Sequence, residues 1–272
     1  MHRIGSATRS DIRRGCAHVG TSRRRSARRE LFRVLGAGAE LVTIARESVT
    51  TGDVASVRSA VGAALAQATA NKRPHLSRLN TASRKPSMRF EDNGAAIECL
   101  LGPNVLDGET HAAVLIVMHT DKATAGMALE KGTPNYYTTN GFDVIATLVA
   151  GAQEWTVGIG GTLGAQAGFE LGQSPAGASS VSIVAKYDRA TAVPAAEIAI
   201  YDGGLLATAV TDDVSNVTGA FGSGVLNVGA RANGASVTFD GDIWLIAIAA
   251  GDLSADKCAL LSRIGLAWAP LA

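Results

Sequence analysis

Between positions 237 and 247 the chain alternates in a way that few backbones can satisfy. Val237, Phe239, Gly241, Ile243, Leu245 and Ala247 take the odd positions, and Thr238, Asp240 and Asp242 open the even ones. Successive side chains on a strand point to opposite faces, so this reads as a strand with one buried face. Further along, the even positions become Trp244, Ile246 and Ile248. The strand therefore continues into a region buried on both sides. It belongs to a unit, residues 227–268, that reads strand, turn, long strand and short closing helix. Ser254 is the expected N-cap of that helix, and Leu260, Leu261 and Ile264 are its packing positions.

The preceding sequence from residue 88 repeats the theme. The segments 88–91, 96–101, 112–118, 143–150, 155–159, 166–171, 181–187, 197–201, 205–210 and 225–230 each read as a short strand. Asp92-Asn93-Gly94 and Asp202-Gly203-Gly204 supply hairpin turns. Residues 112–118 are continuously apolar and short, as in a strand covered on both faces. About ten short strands at even spacing predict a two-sheet antiparallel β-sandwich or jelly roll. The composition agrees: 31 glycines and only 5% aromatic residues suit many strands and tight turns.

The amino-terminal part differs. Residues 1–33 carry ten arginines and two acids, whereas the remainder carries fifteen basic and twenty-two acidic residues. A basic arm thus precedes a mildly acidic body. Its plain reading is a solvated tail. Its functional reading is an anchor through Arg23, Arg24, Arg25, Arg28 and Arg29 to an acidic surface. No aromatic residue interleaves with the first nine arginines, which disfavours nucleic acid. Ala27-Arg28-Arg29-Glu30-Leu31-Phe32-Arg33 also has a loose likeness to a twin-arginine export signal, interrupted by Glu40. Apolar stripes predict amphipathic helices over 28–46 and 53–70, and Pro74 and Pro86 punctuate a polar connector over 71–87. The expected organisation is a basic arm (1–33), a partly helical anchor and linker (34–85) and a β-domain (86–272). No run of eighteen apolar residues occurs, so no membrane span is expected. Cys16, Cys99 and Cys258 are too few and too far apart for a disulfide framework or metal pattern.

Several segments together resemble the concanavalin A-like, or laminin G-like, jelly-roll superfamily. Gln67-Ala-Thr-Ala-Asn-Lys-Arg-Pro-His-Leu76 is similar to the approach to its first strand, and Pro86-Ser-Met-Arg-Phe-Glu-Asp-Asn-Gly94 to that strand, with Glu91-Asp92 where Asp-Gly is usual. Ile198-Ala-Ile-Tyr-Asp-Gly-Gly-Leu-Leu-Ala207 is similar to its central hairpin. Val228-Gly-Ala-Arg231, Phe239-Asp-Gly-Asp-Ile243 and Leu253-Ser254 are similar to the last core strands and the helix that follows. The resemblance covers about residues 67–268. It implies two packed sheets, one of them concave, and a range of roles from lectins and glycosidases to phage structural proteins. The approach segment and the basic arm look most like a phage head or tail appendage protein. That resemblance implies a virion or phage-like particle surface, other structural proteins of the particle and cell-surface polysaccharide as partners, and a homo-oligomer. A secreted lectin-like adhesion module and a polysaccharide-degrading enzyme are the alternatives.

Candidate chemistry is sparse. Glycosidases of this superfamily alternate acids along one strand, which brings two carboxylates to the separation that retaining hydrolysis needs. No such motif is found, and Asp240 and Asp242 border Gly241 in an apparent structural turn, so no catalytic residue is assigned. The five histidines, at 2, 18, 75, 111 and 119, show no metal-ligand spacing. Gly158, Gly160 and Gly164 lack the strand–helix context of a dinucleotide loop. The ligand-binding residues expected are Asn135, Tyr136, Tyr137 and Asn140, with Trp155 nearby: aromatic planes flanked by amides match the apolar faces and hydroxyl rims of sugars. The plainer reading is a polar loop whose tyrosines pack on the sandwich edge. No cofactor is expected beyond calcium, for which Asp202, Asp212, Asp213 and Asn216 offer oxygen donors without a spacing that specifies a site.

Overall fold

The computed structural model describes residues 25–45, 52–53, 55–77, 86–92, 97–132, 140–150, 152–160, 166–173, 180–193, 196–207, 210–211, 217–232 and 236–269. Two antiparallel sheets face each other, with strands numbered in chain order. The first sheet runs β16 (Leu205–Leu206), β15 (Ile198–Asp202), β14 (Val181–Asp188), β9 (His111–Thr120), β19 (Gly241–Ala250), β7 (Ser87–Phe90), β6 (His75–Ser77) and β2 (Gly52–Asp53). On that far side of β19, β7 pairs with residues 241–243 and β1 (Ala39–Ile44) with residues 245–249; β4 (Ser59–Val61) lies outside β1. The second sheet runs β17 (Val210–Thr211), β13 (Gln166–Gln173), β12 (Ala152–Gly160), β11 (Phe142–Val149), β10 (Gly126–Lys131), β18 (Leu226–Val228), β8 (Leu100–Gly102), β5 (Leu65–Ala66) and β3 (Ser56–Val57). The sandwich expected from the sequence is therefore present.

The first sheet is apolar on both faces. Val114, Ile116 and Met118 of β9 look into the space between the sheets, and Ala113, Leu115 and Val117 look outward. That outer face is covered by helix α1 (25–35), through Leu31, Val34 and Leu35, and by helix α2 (Ala255–Gly265), through Cys258, Leu261 and Ile264. Ser254 caps α2 as expected, its side chain accepting from the Lys257 backbone N–H at 3.4 Å. The strand read from 237 begins only at Gly241: Val237 turns at φ +48°, and residues 237–240 lie outside β19. Within β19 the alternation breaks at one point. The register against β9 slips between Ile243 and Leu245, leaving Trp244 as the extra residue of a bulge. The slip lets Ile243, Ile246 and Ile248 share the inner face while Trp244, Leu245 and Ala247 share the outer one.

Two expected helices are corrected. The first stops at residue 35: Gly36 turns at φ +60°, and Gly36–Gly38 forms a short 3-10 turn into β1. A Cβ on Gly38 would lie 2.5 Å from the Ala250 carbonyl oxygen, so the turn closes directly against β19. The second, over 53–70, is replaced by strands β3, β4 and β5. Its stripe of Val57, Val61 and Leu65 is divided among three strands, with Val57 on β3 and Leu65 on β5 in the second sheet and Val61 on β4 in the first. Val57 and Leu65 are fully buried between the sheets. Residues 39–77, expected as part of an anchor and linker, thus place strands in both sheets, with β6 beside β7 and β5 beside β8. Likewise α1 takes residues 25–33 of the expected basic arm onto the sandwich. Among the described residues no helix is long and apolar enough to cross a membrane.

Candidate functional site

The candidate binding loop leaves the second sheet after β10 and returns at Asn140. Residues 133–139, with Asn135, Tyr136 and Tyr137, lie outside the described residues. The two feet of the loop are well defined. At the first, Lys131 is buried and its Nζ donates to the Gly222 carbonyl at 2.6 Å and to Asn104 Oδ1 at 3.0 Å. Next to it, the Gly132 N–H donates to Val225 O at 3.2 Å, and the Gly132 carbonyl accepts from Asn227 Nδ2 at 3.2 Å. At the second foot Asn140 turns at φ +53°, and its carbonyl accepts the Gly222 N–H at 3.2 Å. Gly222 therefore ties both feet together, one through its carbonyl and one through its N–H. Burial draws the Lys131 ammonium down to about 8, against Asp107 and Glu40, so it remains mostly charged and donating at neutral pH.

Beneath the feet the sandwich is closely packed. Phe142, Tyr187 and Phe221 pack as a triad with centroids 5.4 to 6.2 Å apart. The buried Arg189 guanidinium stacks 5.0 Å over Phe221 and donates to Gly160 O at 2.8 Å and Gly219 O at 2.7 Å. An aromatic pair is worth about 1 kcal/mol beyond area burial, and a desolvated cation–π contact about 2 kcal/mol.

The face of the second sheet turned away from the core is polar at its centre. Phe142, Val144 and Ala146 of β11 face inward, so Asp143, Ile145 and Thr147 face outward. Glu130 of β10 is the cross-strand neighbour of Asp143, with Asn227 of β18 on its other side and Gly158 of β12 next to Asp143. Arg231 reaches over this row: its Nε donates to Glu130 Oε1 at 2.9 Å, and its Nη2 stands 3.9 Å from Asp143 Oδ2. Arg231 keeps 21% of its side chain exposed, whereas Glu130 and Asp143 keep 0% and 1%. Burial first, and Glu130 second, push the Asp143 carboxyl up to about 8, with Arg231 and the Gly158 backbone opposing. At neutral pH it is mainly the neutral acid. Sequence reasoning missed this row, because its members come from four separate strands and only register aligns them.

Other expected residues fall as follows. Trp155 is 1% exposed in the inter-sheet core, where it supports β11 but presents no plane to a sugar. Asp202 ends β15; burial raises its carboxyl against a hydrogen bond from the Ser182 backbone. Asp212, Asp213 and Asn216 lie outside the described residues, as do Arg23 and Arg24. Among the described residues no group of three or more His, Cys, Asp or Glu side chains is arranged to hold a metal ion. Arg25, Arg28 and Arg29 are exposed on α1, with Arg28 lying 5.4 Å over the Phe32 ring. Asp240 and Asp242 serve a structural network: Arg89 of β7 pairs with Asp240 at 2.9 Å, Asp242 at 3.3 Å and Asp121, and Ser87 donates to Asp242. His119, then Arg89, hold the Asp121 carboxyl down to about 2.

No protein-family model matches the chain, and no curated protein matches it. Solved structures with a similar arrangement include the heptameric SAP-like pentraxin from Limulus polyphemus, at 10% identity and a TM-score of 0.49, over 64% of this chain and 80% of that one. Another is the Ruminococcus gnavus IT-sialidase CBM40 bound to alpha2,3 sialyllactose, at 17% identity and 0.42, over 57% and 84%. A third is the Botulinum Neurotoxin serotype G binding domain, at 12% identity and 0.49, over 83% and 51%.

Proposed function

We propose that this chain is a surface-recognition protein of a phage-like particle: the sandwich binds cell-surface polysaccharide through the loop at residues 133–140, and the N-terminal segment holds it to other structural proteins. The observation that carries the reading is the double clamp at Gly222, which fixes both ends of an Asn-Tyr-Tyr loop on a closely packed sheet end. A loop whose feet are held loses less conformational entropy when it takes a ligand, which favours recognition by a few aromatic planes. The layering supports the anchoring half. The arginines of α1 lie over the outer face of the first sheet, and the feet of the loop belong to the second, so attachment and recognition start from different layers of the sandwich.

The test titrates the full chain, and its Tyr136→Ala/Tyr137→Ala variant, into purified bacterial capsular and O-chain polysaccharides by calorimetry, with the polysaccharide length followed over time. Binding by the parent, unchanged length and at least about a tenfold loss in the variant are expected. No binding to any polysaccharide, or equal binding by the variant, overturns the recognition loop.

Polysaccharide cleavage is the second reading, and the Glu130–Asp143 pair is what raises it. Cross-strand carboxyls in unlike environments are a known arrangement for glycoside hydrolysis. Their near-complete burial favours a structural task, and progressive shortening of the polysaccharide would reverse that preference.

A further inference from the structure

Among the described residues six large apolar side chains are conspicuously exposed, and two of them, Leu206 and Leu266, border the helix-covered face of the first sheet. Leu205 and Leu206 form β16, the last strand of the first sheet, with 76% and 64% exposure; Leu266, just past α2, has 42%. The hairpin before β16 turns at Gly203 and Gly204, with φ +57° and +102°. A Cβ on Gly204 would lie 3.2 Å from Arg263 Cβ, and one on Gly203 would lie 3.9 Å from Leu266 Cδ1. Hairpin and helix are thus pressed into one surface. On α2 Asp256 and Arg263 lie opposite the buried face, with Leu260 and, one turn on, Ala267 half-buried against the outer layer. Asp256 and Arg263 are exposed, and neither forms an ion pair among the described residues. They stand seven residues, or about two helical turns, apart with Leu260 between them.

We propose that a second copy of this chain docks on this surface, with the two α2 helices antiparallel about a two-fold axis near Leu260. The order acid, leucine, base along α2 is its own complement when reversed. Two-fold pairing therefore sets Asp256 of each copy against Arg263 of the other and Leu260 against Leu260, as an isologous contact requires. Leu206 and Leu266 flank this line and become covered, whereas Leu205 points to the other face of the sheet. A partner of other chemistry would have to supply the same complement, which this chain already carries.

The charge order also suits the helix dipole, with the acid in the first turn and the base in the last. Charge reversal separates the two explanations. Sedimentation equilibrium of the full chain through the micromolar range is expected to show a monomer–dimer equilibrium. Asp256→Arg or Arg263→Asp alone should weaken it by at least about tenfold, because each sets like charges together twice. The double reversal should restore the dimer, although it opposes the dipole at both ends. Leu206→Lys should abolish it without changing the circular dichroism spectrum. A parent chain that stays monomeric, single reversals without effect, or a double reversal that fails to rescue would each overturn the interface.

Discussion

The two sheets solve the same problem differently. The first is apolar on both faces, sealed on one side by the second sheet and on the other by α1 and α2. The second is apolar only toward the core, and at the centre of its other face it buries Glu130, Asp143 and Asn227 beneath Arg231. Apolar layers gain from burial without needing aligned partners. Buried polar rows are tolerated only when their hydrogen bonds and charges are met, so they are costly and geometrically exacting. The first sheet therefore serves as scaffold, and the second carries the surface where specificity can be built.

The largest effect expected from breaking this contrast is on the scaffold. Trp244 is 2% exposed in the layer beneath the helices, and Trp244→Ala should cost about 3–5 kcal/mol in urea unfolding. A loss below about 1 kcal/mol would mean that the outer layer is surface dressing and that the first sheet is not doubly buried in practice. Next is Arg231→Ala, which leaves Glu130 without its cation and should cost about 3 kcal/mol. Adding Glu130→Gln to that variant should recover much of the loss, whereas a purely steric role for Arg231 predicts no recovery.

The Asp143 carboxyl sharpens the comparison through pH. Its folded-state value near 8 lies above the ordinary carboxylate range, so the folded protein holds a proton that the unfolded chain releases. Its contribution to stability is greatest in acid and is lost as pH rises from about 4 to about 8. The stability difference between Asp143→Asn and the parent should therefore grow by up to about 1.4 kcal/mol per pH unit across that window and level off above it. Unfolding midpoints at a series of pH values measure this. A difference independent of pH would place the carboxyl in contact with water.

The same contrast explains what could be read from the sequence. Strands of the first sheet were legible because continuous apolar runs such as 112–118 have few alternatives, and α2 because Ser254 and its stripe mark a helix. The bulge at Trp244 was not, because a one-residue slip leaves the composition of both faces apolar. Residues 53–70 misled because Val57, Val61 and Leu65 recur at helical spacing although each lies on a different short strand, a placement that only the pairings of β4 with β1, β3 with β5 and β5 with β8 decide. In the second sheet, β10 (Gly-Met-Ala-Leu-Glu-Lys) places Glu130 and Lys131 where a core strand should be apolar. Only the register against Asp143 and Asn227, and the Gly222 carbonyl that receives Lys131, explain them. Trp155 drew attention by proximity to the tyrosines, but strand alternation alone puts it with Val157 and Ile159, facing inward.

The smallest effect concerns α1, where the two faces of a single helix repeat the contrast between scaffold and surface. Leu31, Val34 and Leu35 are buried against the first sheet, and Arg25, Arg28 and Arg29 point away from it. Arg25→Glu/Arg29→Glu should leave the unfolding free energy within about 0.5 kcal/mol of the parent, and Arg28→Ala should lose only the stacking on Phe32, about 0.5–1 kcal/mol. Leu31→Ala, one turn away, should cost about 2–5 kcal/mol. If the arginine changes proved equally costly, these side chains would be part of the scaffold and the anchoring role would lose its basis. If they are thermodynamically silent yet abolish binding to an acidic partner protein, their place on an already satisfied helix is explained by that contact.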